Sequence, residues 1–352
     1  MSISVQIQKR LGQFFLDVNF ESQGVPMAIL GSSGCGKSMT LKCIAGIETP
    51  DHGRIILNGR TLFDSQKQIN LRPQERKVGY LFQHYALFSN MTVYQNIECA
   101  LLHVEKKKRP EHIDMLMARF EIQDLKAQYP SQLSGGQQQR TALARIWAYQ
   151  PEILLLDEPF SALDAFLREG LQVSMMDWIK EYDGDVVMVT HSRDEAYNLC
   201  EQLLVLDEGK ALKMGGTKAL FHDPEILQIA KLTGCKNFSR AKQVGDQEIE
   251  ALDWGVRFLV AHSVPKALTY IGIRAHDFHP CEEGEAMVNA IPIHVIKRME
   301  SPFEWNVLFR HADSDAPRDH SIWWKYSKET EKYDYATVKG LTVAPERILL
   351  LR

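Results

Sequence analysis

The sequence has no run of about 18 uncharged apolar residues, the length a helix needs to cross a bilayer. Its longest apolar runs, such as 153–156, have the length of a strand. The opening residues, MSISVQIQKR, lack the apolar core of a signal peptide. Paired cysteines are also missing. The six cysteines (Cys35, Cys43, Cys99, Cys200, Cys235, Cys281) are scattered without C-x-x-C spacing, which argues against a disulfide framework or a zinc site and suits a reducing compartment. Nor is there an excess of basic charge. The formal net charge is -4, so no broad field points to nucleic acid as a partner. With 45% hydrophobic and 24% charged residues, the composition is that expected of a soluble globular protein. The 352 residues suffice for two domains at ~100–200 residues each.

Two regions of different character are present. Residues 1–233 alternate short apolar strands with amphipathic helices, which predicts an α/β core. VPMAILG (25–31) runs into a glycine-rich turn and a helix; EILLLDEP (152–159) and DVVMVTH (185–191) read as buried strands, and QLLVLDEGK (202–210) as a strand closed by a turn. A helix-rich stretch spans about 84–150, and its charge run KKKRPEH (106–112) reads as a solvated face. From 234 onward, short β-branched and aromatic runs alternate with Gly, Pro and Asp: RFLVA, YIGIRAH, IPIHVIK, WNVLFRH, SIWWKYS and ERILLL. This predicts a small all-β barrel or sandwich. Acidic and basic residues nearly balance in it, unlike an oligonucleotide-binding barrel.

The chemistry concentrates in the first region. GSSGCGKS (Gly31, Ser32, Ser33, Gly34, Cys35, Gly36, Lys37, Ser38, followed by Met39) fits G-x-x-x-x-G-K-[ST] between a predicted strand and a predicted helix, the context of a P-loop. Glycines let successive N–H groups face phosphates, and the helix N-terminus adds partial positive charge. Lys37 is placed for the β- and γ-phosphates of a nucleotide, and the Ser38 hydroxyl for Mg²⁺. Cys35 admits two readings, an acidified thiol at a helix start or a small side chain inside the loop. ILLLDEP delivers Asp157, a Mg²⁺ ligand through water, and Glu158, placed to polarise an attacking water, to the end of a buried strand. LSGGQ (133–137), followed by an amphipathic helix, makes Ser134, Gly135, Gly136 and Gln137 a second anion-binding cap. One nucleotide does not need two complete caps from one small fold, so the economical reading is that each chain lends this cap to a partner's nucleotide.

Across 1–233 these motifs resemble the ABC ATPase family. The resemblance implies a P-loop NTPase core with a helical subdomain. Gln83 in LFQHYALF takes the place of the glutamine that senses the γ-phosphate and Mg²⁺. SALD (161–164), with Asp164, looks like the loop that crosses the dimer interface. His191 in VTHSRDEA looks like the switch histidine on the γ-phosphate. The family's adenine-stacking aromatic falls on Leu11; Phe14 or Phe15 could substitute, or could belong to the core. The cassette occurs once and carries no fused span, so the resemblance implies a homodimer on the cytoplasmic face of a membrane. It would meet two separate permease subunits and, through them, an extracytoplasmic solute-binding protein, with ATP and Mg²⁺ as cofactors and no nucleic acid. Tyr85, Ala86, Leu87 and Phe88 would receive a permease helix, or pack inside the helical subdomain.

The tail is similar to the small regulatory barrels (MOP/TOBE-like) of bacterial importers, most of all those of the sulfate/molybdate branch. Molybdate is the preferred solute, ahead of sulfate; iron, polyamine or sugar import, and more remotely a non-transport ABC ATPase, are the alternatives. An oxyanion at this tail would need donors such as Lys236, Ser239, Arg240, Arg274 and His276. The other reading makes the tail a dimerising scaffold.

Overall fold

Alternating apolar residues near the N-terminus build a hairpin. β1 (Ile3–Leu11) pairs antiparallel with β2 (Phe14–Ser22) and buries Ile3, Val5, Ile7, Leu16, Val18 and Phe20 on one face. This computed structural model describes residues 2–22, 24–281, 288–312, 321–328 and 338–352. β1 also pairs with β4 (His52–Leu57), which continues through β5 (Arg60–Asp64) to β6 (Ile69–Asn70), all antiparallel.

The sheet then changes hand of pairing. β3 (Met27–Leu30), β8 (Ile153–Asp157) and β9 (Asp185–Thr190) are buried at every residue, as strands are when helices cover both faces of a parallel sheet. With β7 (Val78–Leu81), β10 (Gln202–Asp207) and β11 (Lys210–Gly216) they complete one eleven-stranded sheet, in the order β6-β5-β4-β1-β2-β11-β10-β3-β9-β8-β7. The pairs from β10 through β7 are all parallel. α1 (Lys37–Ala45) packs on β7, β8 and β9, and α6 (Arg193–Leu199) on β3 and β9. α2 (Val93–Glu98), α3 (Arg109–Arg119) and α4 (Gly135–Tyr149) pack on one another inside the stretch expected to be helical. α5 (Ala165–Lys180) follows β8.

The chain forms two compact units, Met1–Lys218 and Ala219–Arg352, divided within α7 (Thr217–His222). The division falls earlier than the expected boundary at 233, because α8 (Leu227–Leu232) belongs with the β unit. The Leu227 N–H donates to the Arg352 carbonyl and the Arg352 N–H to that of Glu225. In that unit β12 (Asn237–Gln243), β13 (Glu248–Ala251), β14 (Val256–Leu259), β15 (Tyr270–Ile273) and β21 (Ile348–Leu351) form one sheet in the order β14-β13-β12-β15-β21. β16 (Phe278–Pro280), β17 (Ile291–Glu300), β18 (Glu304–His311), β19 (Ile322–Ser327) and β20 (Gly340–Val343) form a second, in the order β16-β20-β17-β18-β19. The two share one core, with Ile249, Phe258 and Ile271 from the first and Phe309, Trp324 and Leu341 from the second. This is the all-β tail that the sequence pattern predicts.

One buried group in the first unit is poorly matched to its surroundings. Asp185 opens β9 at 1% exposure, and both of its carboxylate oxygens lack a hydrogen-bond partner. Burial raises its pKa from the ordinary 3.8. The native state therefore holds a proton that the unfolded chain releases, and stability is lost as pH rises above 3.8 towards the native value. Asn at this position does not titrate. The melting temperature of Asp185→Asn relative to wild type should rise as pH is raised above 3.8 and level off once the native carboxyl has ionised, by a few degrees in all, since ~1 kcal/mol moves a unit of this size by about 2–4 °C. A difference that does not change with pH would show that the carboxyl group is not the source.

Candidate active site

The register of the parallel strands decides what meets at their ends. Leu30 lies opposite Thr190, Asp157 opposite Val189, and Leu81 opposite Leu156. Gly31, Gln83, Glu158 and His191 therefore follow one another along the C-terminal edge of the sheet, where open α/β sheets bind ligands.

Between β3 and α1 the chain turns in little space. A Cβ on Gly31 would come 2.2 Å from the Leu206 carbonyl oxygen and 2.6 Å from the Cys35 sulfur. Gly36, at φ +104°, occupies a conformation that favours glycine and caps α1 without any side-chain acceptor. The first amides of α1 are thus open to an anion. Lys37 is nearly buried, and its ammonium donates to the carbonyls of Gly31 (2.9 Å) and Ser32 (2.8 Å). Ser32, Ser33 and Gly34 are exposed, whereas Met39 packs against the main core. Cys35 is buried at 3% exposure, and burial raises its pKa despite Lys37 nearby. Of the two readings of this thiol, the packing one fits.

Ser38 and Asp157 meet directly: the Ser38 hydroxyl donates to Asp157 Oδ1 at 2.7 Å. A hydroxyl and a carboxylate side by side at the mouth of an anion cradle are hard oxygen donors, and they suit Mg²⁺ bound together with a phosphate. Asp157 has a second partner that the sequence reading missed, the Tyr80 hydroxyl, which donates to Oδ2 at 2.8 Å. Burial and the adjacent carboxylate push the Tyr80 pKa well above the ordinary phenol value. Glu158 is held in the left-handed region at φ 45°, its N–H donating to the Val189 carbonyl at 3.0 Å. A non-glycine residue in that conformation is strained, which is common where a side chain is aimed for function. Its carboxylate lies 3.4 Å from His191 Nδ1. Next to His191, the Thr190 hydroxyl donates to the buried carboxyl of Glu195, whose pKa burial raises. Gln83 is exposed two residues beyond the end of β7.

A concave space of ≈ 470 Å³ opens beside the loop, lined by Phe14 and Phe15 together with Ser32, Ser33, Gly34 and Cys35. Leu11 is not among its lining residues. Phe15 is 37% exposed, with the Arg10 guanidinium 5.5 Å from its ring centre.

The second cap stands apart. Ser134 caps α4: its Oγ accepts from the Gln137 N–H (3.4 Å), and the Gln137 side chain accepts from the Ser134 N–H (2.9 Å). A Cβ on Gly135 would lie 3.2 Å from Leu163, so the cap touches the SALD loop; Gly136 faces open space. Asp164 caps α5 by accepting from the Leu167 N–H at 3.0 Å. Among the described residues, no hydrogen bond joins the Ser134 cap to the loop at 31–38. In the helical region Tyr85 is buried, Leu87 half-buried, and Ala86 and Phe88 exposed. Arg145 donates to the carbonyls of Tyr85 (3.2 Å) and Ala86 (2.9 Å).

The expected oxyanion donors of the tail are engaged inside their own unit. Arg240 chelates Asp253 at 2.7–2.8 Å, and Ser239 Oγ accepts from the Asp253 N–H at 3.0 Å. Arg274 donates to the carbonyls of Thr233 and Phe221. Lys236 sits over the Trp323 ring at 5.5 Å, and His276 beside Asp277 at 3.7 Å. Hydrogen bonding within the unit thus engages Ser239, Arg240 and Arg274, while Lys236 and His276 have only the ring and charge contacts.

The sequence profile of the ABC transporter family matches residues 16–161. A sulfate/thiosulfate import ATP-binding protein of Neisseria meningitidis serogroup A is 38% identical over 359 residues, spanning 99% of this chain and 96% of the relative. This chain belongs to that family of ABC transporter ATP-binding subunits. Two further relatives are each 40% identical: a sulfate/thiosulfate import ATP-binding protein of Synechocystis over 237 residues, and an Fe(3+) ions import ATP-binding protein of Haemophilus influenzae over 238. These alignments span 64% of this chain but only 63% and 65% of the relatives, under two thirds of their length. Among solved structures, the dimeric ATP-binding cassette MJ0796 bound to ADP and Pi has a TM-score of 0.53 at 26% identity, covering 62% of this chain and 99% of that one.

Glu158 carries the only carboxylate that faces His191 at this edge among the described ion pairs. Glu158→Gln should keep ATP affinity within about threefold and lower turnover by at least ~100-fold, because an amide cannot polarise water as a carboxylate does. Nucleotide binding and steady-state phosphate release measure the two effects. Turnover near that of wild type would remove Glu158 from this role.

Proposed function

We propose that the chain is the ATP-hydrolysing subunit of an importer for a sulfate-class oxyanion. It would work as a homodimer on the cytoplasmic face of the membrane, against two permease subunits supplied by an extracytoplasmic solute-binding protein. The observation that carries the hydrolytic part is the Ser38–Asp157 pair beside the Glu158–His191 pair, at the mouth of an uncapped helix.

In this reading the amides of residues 34–39 hold the phosphates, and Lys37 exchanges the Gly31 and Ser32 carbonyls for phosphate oxygens. Ser38, Gln83 and, through water, Asp157 would hold Mg²⁺, which offsets the negative charge of the phosphate oxygens. Glu158 polarises the attacking water, and His191 donates to the terminal phosphate. Phe15, exposed in the concavity beside the loop, is the better placed aromatic for adenine; Phe14 packs against the core. The cap of Ser134, Gly135, Gly136 and Gln137 in one subunit serves the nucleotide of the other, with Asp164 and its loop alongside. The dimeric MJ0796 cassettes support a dimer. Ala86 and Phe88, exposed, are available to a permease helix, while Tyr85 belongs to the interior.

Support for the solute comes from the tail. The Neisseria relative, named for sulfate/thiosulfate, matches across 99% of the chain, tail included, whereas the alignment with the Fe(3+) relative covers 64%. Sulfate or thiosulfate thus has support that the initial preference for molybdate lacks.

Two experiments test this reading. Ser134→Arg and Lys37→Ala should each abolish ATPase activity, and mixing them should restore part of it, because one composite site of the mixed dimer carries both lesions and the other neither. Mixed dimers that demonstrably form but stay inactive, while crosslinks across the interface are absent, would contradict the sharing. Deleting the gene should reduce sulfate or thiosulfate uptake at least ~10-fold and leave ferric-ion uptake unchanged. The reverse pattern would assign iron.

A further inference from the structure

We infer that Tyr80 is a positioning residue for the metal-binding carboxylate, a role that rests on the ATPase reading above. The structure gives Asp157 two hydrogen-bond donors, one on each oxygen: Ser38 on Oδ1 at 2.7 Å and Tyr80 on Oδ2 at 2.8 Å. A carboxylate held at one oxygen can still turn about its Cβ–Cγ bond. Held at both, it keeps its plane and presents Oδ1 to the Ser38 side.

The neighbouring strand makes this possible. Tyr80 lies opposite Leu155 in the β7–β8 register, two residues before Asp157. The tyrosine side chain is long enough to span that offset, and the hydroxyl reaches Oδ2 beyond the end of its own register pair. The ring packs against Phe82, whose centroid lies 4.4 Å away at 44°. Packing sets the ring, the ring sets the hydroxyl, and the hydroxyl sets the carboxylate. Phenylalanine would fill the same space and make the same ring contact, but it would leave Oδ2 without its donor. The hydroxyl is therefore separable from the packing.

Ser38 gains from this arrangement too. Its hydroxyl must offer a lone pair to a cation while its proton goes elsewhere. An Asp157 fixed in place accepts that proton and leaves the lone pairs of Ser38 turned towards the cradle. Tyr80 thus prepares both oxygen donors before any nucleotide arrives, and the cost of ordering them is met in folding.

The test uses the full chain with Tyr80→Phe. ATP-dependent thermal stabilisation is followed while Mg²⁺, or Mn²⁺ as a second probe, is titrated. Loss of an outer partner of a metal ligand typically costs ~10–100-fold in metal affinity, and contact through water puts this case near tenfold. The half-saturating Mg²⁺ concentration should rise about tenfold, kcat at limiting Mg²⁺ should fall in proportion and recover at excess Mg²⁺, and ATP binding in EDTA should stay unchanged. In an Asp157→Asn background, Tyr80→Phe should add less than about twofold, because its effect passes through the carboxylate. An unchanged Mg²⁺ midpoint in Tyr80→Phe, with the protein binding ATP as wild type, would overturn the inference and leave the ATPase reading standing. A wild-type protein that binds no ATP at any Mg²⁺ concentration would overturn that reading itself. Should Tyr80→Phe fold poorly, Phe82→Leu loosens the ring; the inference then expects a Mg²⁺ midpoint raised by at least threefold, and an unmoved one counts against it.

Discussion

Backbone pairing between β8 and its two parallel neighbours, β7 and β9, sets where Tyr80, Gln83, Asp157, Glu158 and His191 lie at the candidate active site. Asp157 stands opposite Val189, so Glu158 comes level with Thr190, one residue before His191, and Leu81 stands opposite Leu156, so Gln83 comes level with Glu158. A slip of one residue would turn Asp157 into the sheet face and Leu156 towards the nucleotide. Complete burial of ILLL within β8 opposes that slip, because each residue has a helix or a neighbouring strand on its side. The apolar strand is thus what aims the charged groups that follow it. The Glu158 backbone, bent into a left-handed conformation and tied to the Val189 carbonyl, converts the strand's direction into the direction of one carboxylate.

Much of this can be read in the sequence, because strand, glycine turn and helix start each leave a local pattern. The loop at 31–38, the buried strand before Asp157 and the Ser134 cap depend on neighbours within a few residues, and the structure shows each of them. Contacts between distant segments leave no such trace. Tyr80 in VGYL reads as an ordinary strand aromatic, and only the β7–β8 pairing brings its hydroxyl to Asp157. Arg145 reads as one more helix residue, yet it holds two carbonyls of the segment after Gln83, where both Tyr85 and Ala86 have positive φ. The tail fails in the opposite sense. Cationic and hydroxyl donors are visible in GCKNFSRAK and GIRAHDF, but the acceptors that take them, Asp253 and the Thr233 and Phe221 carbonyls, are remote in sequence or in the backbone. A list of donors therefore overstates how many are available to a ligand.

The domain boundary shows the same limit. Residues 219–233 read as a continuation of the α/β pattern because α8 is an ordinary amphipathic turn and a half of helix. Its partners decide its place, and they are β15 and the C-terminal residue of the β unit. Periodicity gives the type of an element; which core it joins is a long-range property.

The two anion-binding helix starts differ in a way that bears on how they would be used. α1 begins at Gly36, with no side chain on its first amides, and Lys37 already turned into the loop. Its orphan donors are left for a ligand alone, which favours tight and persistent binding of phosphate. α4 begins at Ser134, where the hydroxyl and the Gln137 amide satisfy each other's backbone N–H groups in a capping box. The Ser134 and Gln137 N–H groups are thereby occupied, while the Ser134 hydroxyl proton and the Gly135 and Gly136 amides stay available for a nucleotide on a second subunit. Fewer first-turn N–H groups are therefore open to an anion here than at α1. In the proposed dimer, a cap with more open donors on the nucleotide's own subunit and one with fewer on the partner would let the nucleotide stay in place while the interface closes and reopens.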